Sequence, residues 1–148
     1  MSAQRTPFLN VAAVICAFLL YSLQLVSNSY AADFEVIDTA RLHSLVVDNA
    51  YELEGGRKRL LAVIDARPKA EYAKVHIFSA INIPENAFEA LTNLLPRDKG
   101  ALLVVYSDQS GTSRRWAEKA RAAGYTSILI YSEGLTAWKV KELPVAPL

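Results

Sequence analysis

One apolar run constrains the fold of this chain more than any other sequence feature. Residues 101–106 read Ala-Leu-Leu-Val-Val-Tyr, without alternation of apolar and polar side chains. A strand with one face in water alternates such residues, whereas a strand buried on both faces does not. Sheets with both faces covered are typical of parallel α/β proteins. The run therefore predicts a buried strand of a parallel sheet.

The rest of the chain alternates between short β-rich runs and helical segments. The clearest helix is predicted over residues 113–123, with Trp116, Ala117 and Ala120 on one side and Gly124 at its end. This order predicts an α/β domain with a mainly parallel central sheet flanked by helices. Further strands are predicted at 34–37, 60–66, 80–83 and 127–131, further helices at 38–47, 86–95 and 135–141, and an exposed turn at 49–59.

The first 31 residues have the layout of a secretory signal peptide. A polar start with Arg5 as its only charge precedes an apolar run within residues 11–26, and small residues lead to Ala31. The apolar run is shorter than the roughly 20 residues of a membrane-spanning helix. We therefore expect an exported protein, periplasmic or secreted, with one domain over residues 34–145. An uncleaved anchor at residues 11–26 is the alternative.

Charge and cysteine content narrow the possible partners and the means of stabilisation. The chain has 16 Lys and Arg, 15 Asp and Glu, and 1 Cys. Arg5 and Cys16 both lie within the first 31 residues, so the remaining chain is charge-balanced and has no cysteine. Balanced charge gives no support for binding to nucleic acid or to an anionic membrane. The domain cannot form a disulfide within itself, and we expect its core alone to stabilise it.

The turn between the strongest strand and the clearest helix is the candidate functional site. Ligands of parallel sheets bind beyond the carboxyl ends of the strands. The backbone amides of this turn, at the positive end of the following helix, are suited to surround an anion, with Arg114 on the first helical turn. The alternative is that Thr112 or Ser113 acts only as a helix cap. The turn, called here the 107–113 loop, consists of Ser107, Asp108, Gln109, Ser110, Gly111, Thr112 and Ser113.

Several short motifs follow one another along residues 34–145. They are Val63-Ile64-Asp65-Ala66-Arg67-Pro68 followed by Glu71-Tyr72 and His76-Ile77, Ser79-Ala80-Ile81-Asn82-Ile83-Pro84, Val104-Val105-Tyr106, Ala122-Ala123-Gly124-Tyr125, Glu133-Gly134-Leu135-Thr136-Ala137-Trp138 and Leu143-Pro144-Val145. In this order and spacing they resemble the rhodanese-like domain family of sulfurtransferases. The resemblance implies a three-layer α/β domain.

The resemblance also implies a sulfur-carrying cysteine directly after the Val-Val-Tyr strand, where this chain has Ser107. A thiol near a helix N-terminus can become a thiolate, but a serine hydroxyl is a weak nucleophile and has no sulfur to form a persulfide. The chain departs from the family pattern elsewhere too. Asp108 adds a negative charge beside the loop, Ser132 stands where a glutamate is common, and Val75 stands where a glycine is common.

Other polar residues have structural explanations. Asp65 and Arg67 resemble the family's structural pair, so we expect them to support the fold and the pocket wall. His43 is predicted to lie on the surface, and His76 to be a hydrogen-bonded structural residue. A Ser107–His76–Asp65 triad is the catalytic alternative. No metal and no cofactor are expected, since the histidines, cysteines and carboxylates lack metal-ligand spacing.

Three hypotheses for function follow. The leading one is a catalytically inactive rhodanese-like domain that binds a small anionic or sulfur-containing ligand, or a protein partner, through the 107–113 loop. The second is an active sulfurtransferase-class enzyme or a hydrolytic enzyme that depends on Ser107, which would require a base within reach of its hydroxyl. The third is a structural subunit of a membrane-associated assembly. A membrane role requires that the N-terminal segment stays uncleaved.

Overall fold

The computed structural model describes residues 33–47 and 60–147, and a five-stranded sheet lies at its centre. The strands of this sheet are β1 (Glu35–Ile37), β2 (Leu61–Asp65), β4 (Ile81–Asn82), β5 (Leu102–Tyr106) and β6 (Ser127–Tyr131). Their order is β1-β6-β5-β2-β4, and every pairing is parallel. The predicted α/β fold with a mainly parallel sheet is confirmed, and β5 is its middle strand.

Helices cover both faces of the sheet. They are α1 (Thr39–Val47), α2 (Lys69–Lys74), α3 (Phe88–Leu91), α4 (Ser110–Ala122) and α5 (Gly134–Val140). Helices α3 and α4 contribute Phe88 and Trp116 to one core cluster, and helices α1 and α5 contribute Leu42 and Trp138 to the other. The domain is therefore a three-layer structure with one core on each side of the sheet.

Strand β5 contributes buried side chains to the core on each side of the sheet. Leu103 and Val105 belong to one core cluster, whereas Val104 and Tyr106 belong to the other. All four side chains are fully buried. Full burial of an aliphatic side chain contributes about 1.5–3 kcal/mol relative to leaving it exposed. The non-alternating apolar run is thus the consequence of a strand that has no solvent-facing side.

Two helical segments differ from the sequence-based prediction. Helix α4 begins at Ser110 rather than Ser113, because the carbonyl oxygen of Gln109 accepts hydrogen bonds from the amides of Thr112 and Ser113. The segment predicted as one helix over residues 86–95 consists of three short pieces. Helix α3 lies between two single 3₁₀ turns, Glu85–Ala87 and Thr92–Leu94.

A second, two-stranded sheet was not predicted at all. Strands β3 (His76–Ile77) and β7 (Val145–Ala146) pair in antiparallel orientation. The short helix α2 was also missed. Elements of two to six residues are too short to show a hydrophobic period, so the sequence gives no signal for them.

Some predictions fall on residues outside the described ranges. These are the signal peptide over residues 1–31, the alternative anchor at 11–26 and the turn at 49–59. Among the helices that the structure does describe, none has the length and apolar character needed to cross a membrane.

Candidate functional site

The carboxyl ends of β2 and β5 lie side by side and open into a cleft. Asp65 and Tyr106 are register partners at the ends of the two strands, so the residues that follow each strand meet. The cleft has a volume of about 620 Å³. It is lined by Ala66, Arg67, Pro68, Lys69, Glu71, Pro84, Glu85, Asn86, Ser107, Asp108, Gln109 and Thr112. The cleft therefore lies at the carboxyl edge of the sheet, where ligands of parallel sheets bind.

The hydroxyl group of Ser107 is fully engaged within the loop. It donates to the carbonyl oxygen of Gln109 at 2.5 Å, accepts from the Gln109 amide at 3.2 Å and shares a hydrogen bond with Ser113 Oγ at 2.9 Å. The Ser107 residue is only 6% exposed. Among the described residues, no histidine, lysine or carboxylate hydrogen-bonds to it. The part of the chain that the structure describes therefore places no base within hydrogen-bonding distance of Ser107 that would activate it as a nucleophile.

Some of the backbone amides that were predicted to surround an anion are hydrogen-bonded within the loop itself. The Gln109 carbonyl oxygen also accepts the amides of Thr112 at 3.0 Å and Ser113 at 3.4 Å. The amides of Ser110 and Gly111, in the first turn of α4, have no intrahelical acceptor because they precede the first helical hydrogen bonds. The loop thus satisfies part of the helix N-terminus with its own carbonyl oxygen.

A buried ion pair supports the wall of the cleft, which Arg67 lines and Asp65 does not. Arg67 Nη2 lies 2.6 Å from Asp65 Oδ2, and Arg67 Nε donates to both carboxylate oxygens at 3.0 and 3.1 Å. The Arg67 backbone amide donates to Asp65 Oδ1 at 2.9 Å, and Nη2 also donates to the Val75 carbonyl at 2.7 Å. Burial alone lowers the pKa of Arg67, but the bonds and attraction to Asp65 outweigh it, so this pKa is raised. Arg67 is therefore held charged and in one orientation.

Tyr106 completes this network from β5. Its hydroxyl donates to Asp65 Oδ2 at 2.6 Å and accepts the Ile77 amide at 3.1 Å. Burial and then the nearby Asp65 charge raise the pKa of Tyr106 far above its usual range. The hydroxyl therefore stays protonated and acts as a permanent donor. Asp65 thus accepts hydrogen bonds from both Arg67 and Tyr106, which links the ends of β2 and β5.

One nitrogen of Arg67 faces the loop. Nη1 lies 3.8 Å from Asp108 Oδ2, and the Asp108 side chain is 57% exposed. At this distance the two groups attract each other without a direct hydrogen bond. Asp108 thus places a carboxylate beside the cation on the cleft wall.

The remaining predicted site residues lie around the cleft or behind it. Asp65 and Ser113 are buried and support Arg67 and Ser107 without lining the cleft. Arg114 points to Glu118, with Nε 3.6 Å from the carboxylate, and does not line the cleft. Gly111 lies exposed in the first turn of α4, and the side chain of Ser110 is outside the described part.

The two histidines have structural surroundings. His76 Nδ1 is 2.8 Å from the Tyr72 carbonyl oxygen, and the two rings stack at 3.7 Å, as expected for a structural histidine. No hydrogen bond joins Ser107, His76 and Asp65, so the structure does not assemble the triad. His43 was predicted on the surface but is half-buried, with its ring 6.2 Å from that of Trp138.

The residues that β4 and α2 bring to the cleft were not predicted from the sequence. Pro84, Glu85 and Asn86 follow the carboxyl end of β4, which ends at the same edge as β2 and β5. The same strand-end rule, applied to the predicted strand at residues 80–83, would have located them. Lys69 and Glu71 belong to α2, which gave no helical signal.

Glu85 is held by cations of α4. Lys119 Nζ lies 3.0 Å and Arg115 Nε 3.4 Å from its carboxylate. The hydrogen bond from Lys119 lowers the pKa of Glu85, with a smaller contribution from Arg115. Within residues 33–47 and 60–147, no group of three His, Cys, Asp or Glu side chains is arranged to hold a metal ion.

Comparison with known proteins identifies the fold and the family. The rhodanese-like domain model matches residues 40–141. No curated protein is significantly similar to the chain. Among solved structures with a similar fold, a rhodanese-like domain from Anabaena sp. is 21% identical over 78% of this chain and 81% of that chain, with a TM-score of 0.60. Thiosulfate sulfurtransferase from Pseudomonas aeruginosa is also 21% identical, over 76% of this chain and 20% of that chain, with a TM-score of 0.60. A rhodanese with anions from E. coli is 25% identical over 60% of this chain and 99% of that chain, with a TM-score of 0.51. The match over most of the chain, together with the three-layer sheet and the cleft at its carboxyl edge, shows that this chain belongs to the rhodanese-like domain family.

Proposed function

We propose that this protein is a non-catalytic member of the family that binds a segment of a protein partner in the cleft, in the periplasm or an equivalent exported compartment. The observation that carries the proposal is Ser107. The resemblance places the sulfur-carrying cysteine at this position, and the serine has no sulfur to accept. Its hydroxyl is also closed into the loop by Gln109 and Ser113.

Sulfur transfer through a persulfide requires a thiolate that attacks the sulfane sulfur and keeps it as an S–S bond. An alcohol oxygen cannot form that bond. Conversion of Ser107 to a nucleophile of another kind would need a neighbouring base. Within hydrogen-bonding distance of its oxygen, the described residues offer only Gln109 and Ser113.

The size of the cleft favours a peptide segment over a small inorganic anion. Its volume of about 620 Å³ falls in the range of about 300–1,000 Å³ found for sites of drug-sized ligands. The lining combines proline and aliphatic surface with hydrogen-bonding groups from Asn86, Gln109 and Thr112. Such a mixture suits a peptide segment, which offers apolar side chains together with the hydrogen-bonding groups of its backbone. A small inorganic anion would fill only a small part of this volume.

The catalytic half of the proposal is tested by thiosulfate-to-cyanide sulfur transfer with the full chain. Every variant carries Cys16→Ala, so that the leader cysteine cannot contribute sulfur chemistry. We expect the Ser107 protein to match its Ser107→Ala variant at background rate. A rate for Ser107 clearly above that of Ser107→Ala would overturn the proposal. The Ser107→Cys variant reports whether the loop still supports a sulfur carrier.

The binding half is tested by titrating ¹⁵N-labelled protein with capped tripeptides of acidic, neutral and basic composition. We expect saturable shifts at the amides of Asp108, Gln109 and Thr112 with at least one composition. The amides of Thr126 and Ser127, at the opposite edge of the sheet, are the internal control. Absence of saturable cleft shifts with all three compositions would contradict peptide binding.

A further inference from the structure

Arg67, the cation on the cleft wall, already has carboxylate partners within the protein. Arg67 uses Nε and Nη2 on Asp65 and the Val75 carbonyl, so only Nη1 faces the cleft. Asp108 Oδ2 lies 3.8 Å from that nitrogen. An anion that approached Nη1 would therefore meet two carboxylates in the same region.

The other cleft charges are paired with groups outside the cleft, with one exception. The Glu71 carboxylate lies 2.8 Å from Lys74 Nζ, and Glu85 is held by Lys119 and Arg115. Lys69 is exposed at the rim. Three of the five charged side chains that line the cleft are carboxylates, so the lining has no excess of positive charge.

Asp108 is the carboxylate with oxygens available to a ligand. More than half of its side chain is exposed, and its contact with Arg67 is longer than a hydrogen bond. It also lies on the 107–113 loop, next to Ser107 and Gln109 on the cleft wall. A donor that entered the cleft would gain a charged acceptor there without breaking a short bond.

From this arrangement we propose that Asp108 determines the charge of the bound segment: the cleft accepts a basic side chain, a lysine ammonium or an arginine guanidinium, and rejects anions. The inference rests on the proposed peptide-binding function and deepens it by naming the class of ligand. The ammonium or guanidinium group hydrogen-bonds to Asp108 in place of solvent, and Arg67 stays on Asp65.

The test uses two probes on the full-length protein, Nα-acetyl-lysine amide and thiosulfate. Binding is followed by the amide shifts of Gln109 and Thr112 at low ionic strength. The perturbation is Asp108→Asn, which keeps the shape and removes the charge. The matched control is Glu118→Gln, which removes the same charge from the exposed face of α4 outside the cleft.

We expect Asp108→Asn to weaken binding of the lysine probe and to strengthen thiosulfate binding, each by about fivefold, the upper end for a partly exposed ion pair. The Glu118→Gln variant should resemble the unmodified protein. Both effects of Asp108→Asn should shrink as salt is added, because salt screens exposed charges.

The outcomes separate this inference from the proposed function. If peptides bind in the cleft but Asp108→Asn changes neither probe, or changes both as Glu118→Gln does, the charge inference is wrong while peptide binding stands. Thiosulfate binding by the unmodified protein that equals or exceeds binding of the lysine probe also contradicts the inference. If no tripeptide and neither probe produces saturable shifts, both proposals fail.

Discussion

Removal of the Tyr106 hydroxyl tests the buried network that supports the cleft wall. This single group joins three segments, since Tyr106 lies on β5, its acceptor Asp65 on β2 and its donor Ile77 on β3. Tyr106→Phe deletes one oxygen atom from a fully buried ring and leaves the rest of the side chain in place. Any loss of stability therefore arises from hydrogen bonding rather than from a large cavity.

The size of the loss follows from the two bonds. A hydrogen bond to a charged group contributes about 1.5–3 kcal/mol, and Asp65 keeps its donors from Arg67, so the lower end applies. The buried Ile77 amide loses its acceptor, which costs about 1–3 kcal/mol. Together these give a decrease of about 3 kcal/mol in the free energy of unfolding. Tyr125→Phe is the control, because it removes one bond from a hydroxyl to the Pro96 carbonyl at 2.7 Å and should cost only about 1 kcal/mol.

Urea unfolding of the full chain, followed by the fluorescence of the buried Trp116 and Trp138, measures both variants. With a slope of about 1.5–2 kcal/mol per molar urea, Tyr106→Phe should lower the midpoint by about 1.5–2 M and Tyr125→Phe by about 0.5 M. If the Tyr106→Phe midpoint falls no further than that of Tyr125→Phe, with equal slopes, the network does not contribute as argued.

Two further predictions concern other parts of the fold. Glu133 accepts hydrogen bonds from the hydroxyl and the amide of Thr39, which lower its pKa. The stability from this lowered pKa is present above the unfolded value and is lost as the pH falls through the folded value, so Glu133→Gln should flatten the loss of stability as the pH falls below the ordinary glutamate pKa. Gly134 has a φ of +69°, and an added Cβ would lie 3.4 Å from the Ser107 carbonyl oxygen. Gly134→Ala should therefore lower the free energy of unfolding by about 1–2 kcal/mol. Gly111→Ala, within α4, should leave the free energy of unfolding unchanged or raise it by about 0.5 kcal/mol.

Each of these has its own control. Urea midpoints across the pH range are compared with those of Glu35→Gln, which removes the same charge from an exposed position of β1. Equal acid dependence of Glu133→Gln and the unmodified protein would contradict the role assigned to Glu133. For the glycines, thermal unfolding decides, and equal melting temperatures for the Gly134→Ala and Gly111→Ala variants would contradict the argument from backbone conformation.

Much of the fold was predictable because burial leaves a local pattern. The apolar run at Leu102–Tyr106 indicated a strand buried on both faces, and the predicted strand Ser127–Tyr131 has the observed bounds. The stripe formed by Trp116, Ala117 and Ala120 is fully buried, as predicted. In each case a side chain's surroundings follow from the periodicity of its own segment, so the neighbouring residues carry the information.

The loop was located from the sequence, but its chemistry was not. The strand-end rule predicted that the residues after β5 line a site, and Ser107, Asp108, Gln109 and Thr112 do line the cleft. The closure of the Ser107 hydroxyl onto Gln109 and Ser113 depends on where α4 begins. That start was predicted three residues too late, since capping preferences do not distinguish adjacent polar residues.

The layers, the family and the position of the candidate site follow from local sequence patterns and their order. Which polar groups meet depends on how the elements pack in three dimensions. Tyr106 reaches Asp65 across 41 residues, Glu133 caps α1 at Thr39 across 94 residues, and Asp108 comes within 3.8 Å of Arg67. Such contacts join separate elements, and their distances depend on how the elements pack against the sheet. A hydrogen bond is lost within an ångström of displacement, so residue order alone does not specify it.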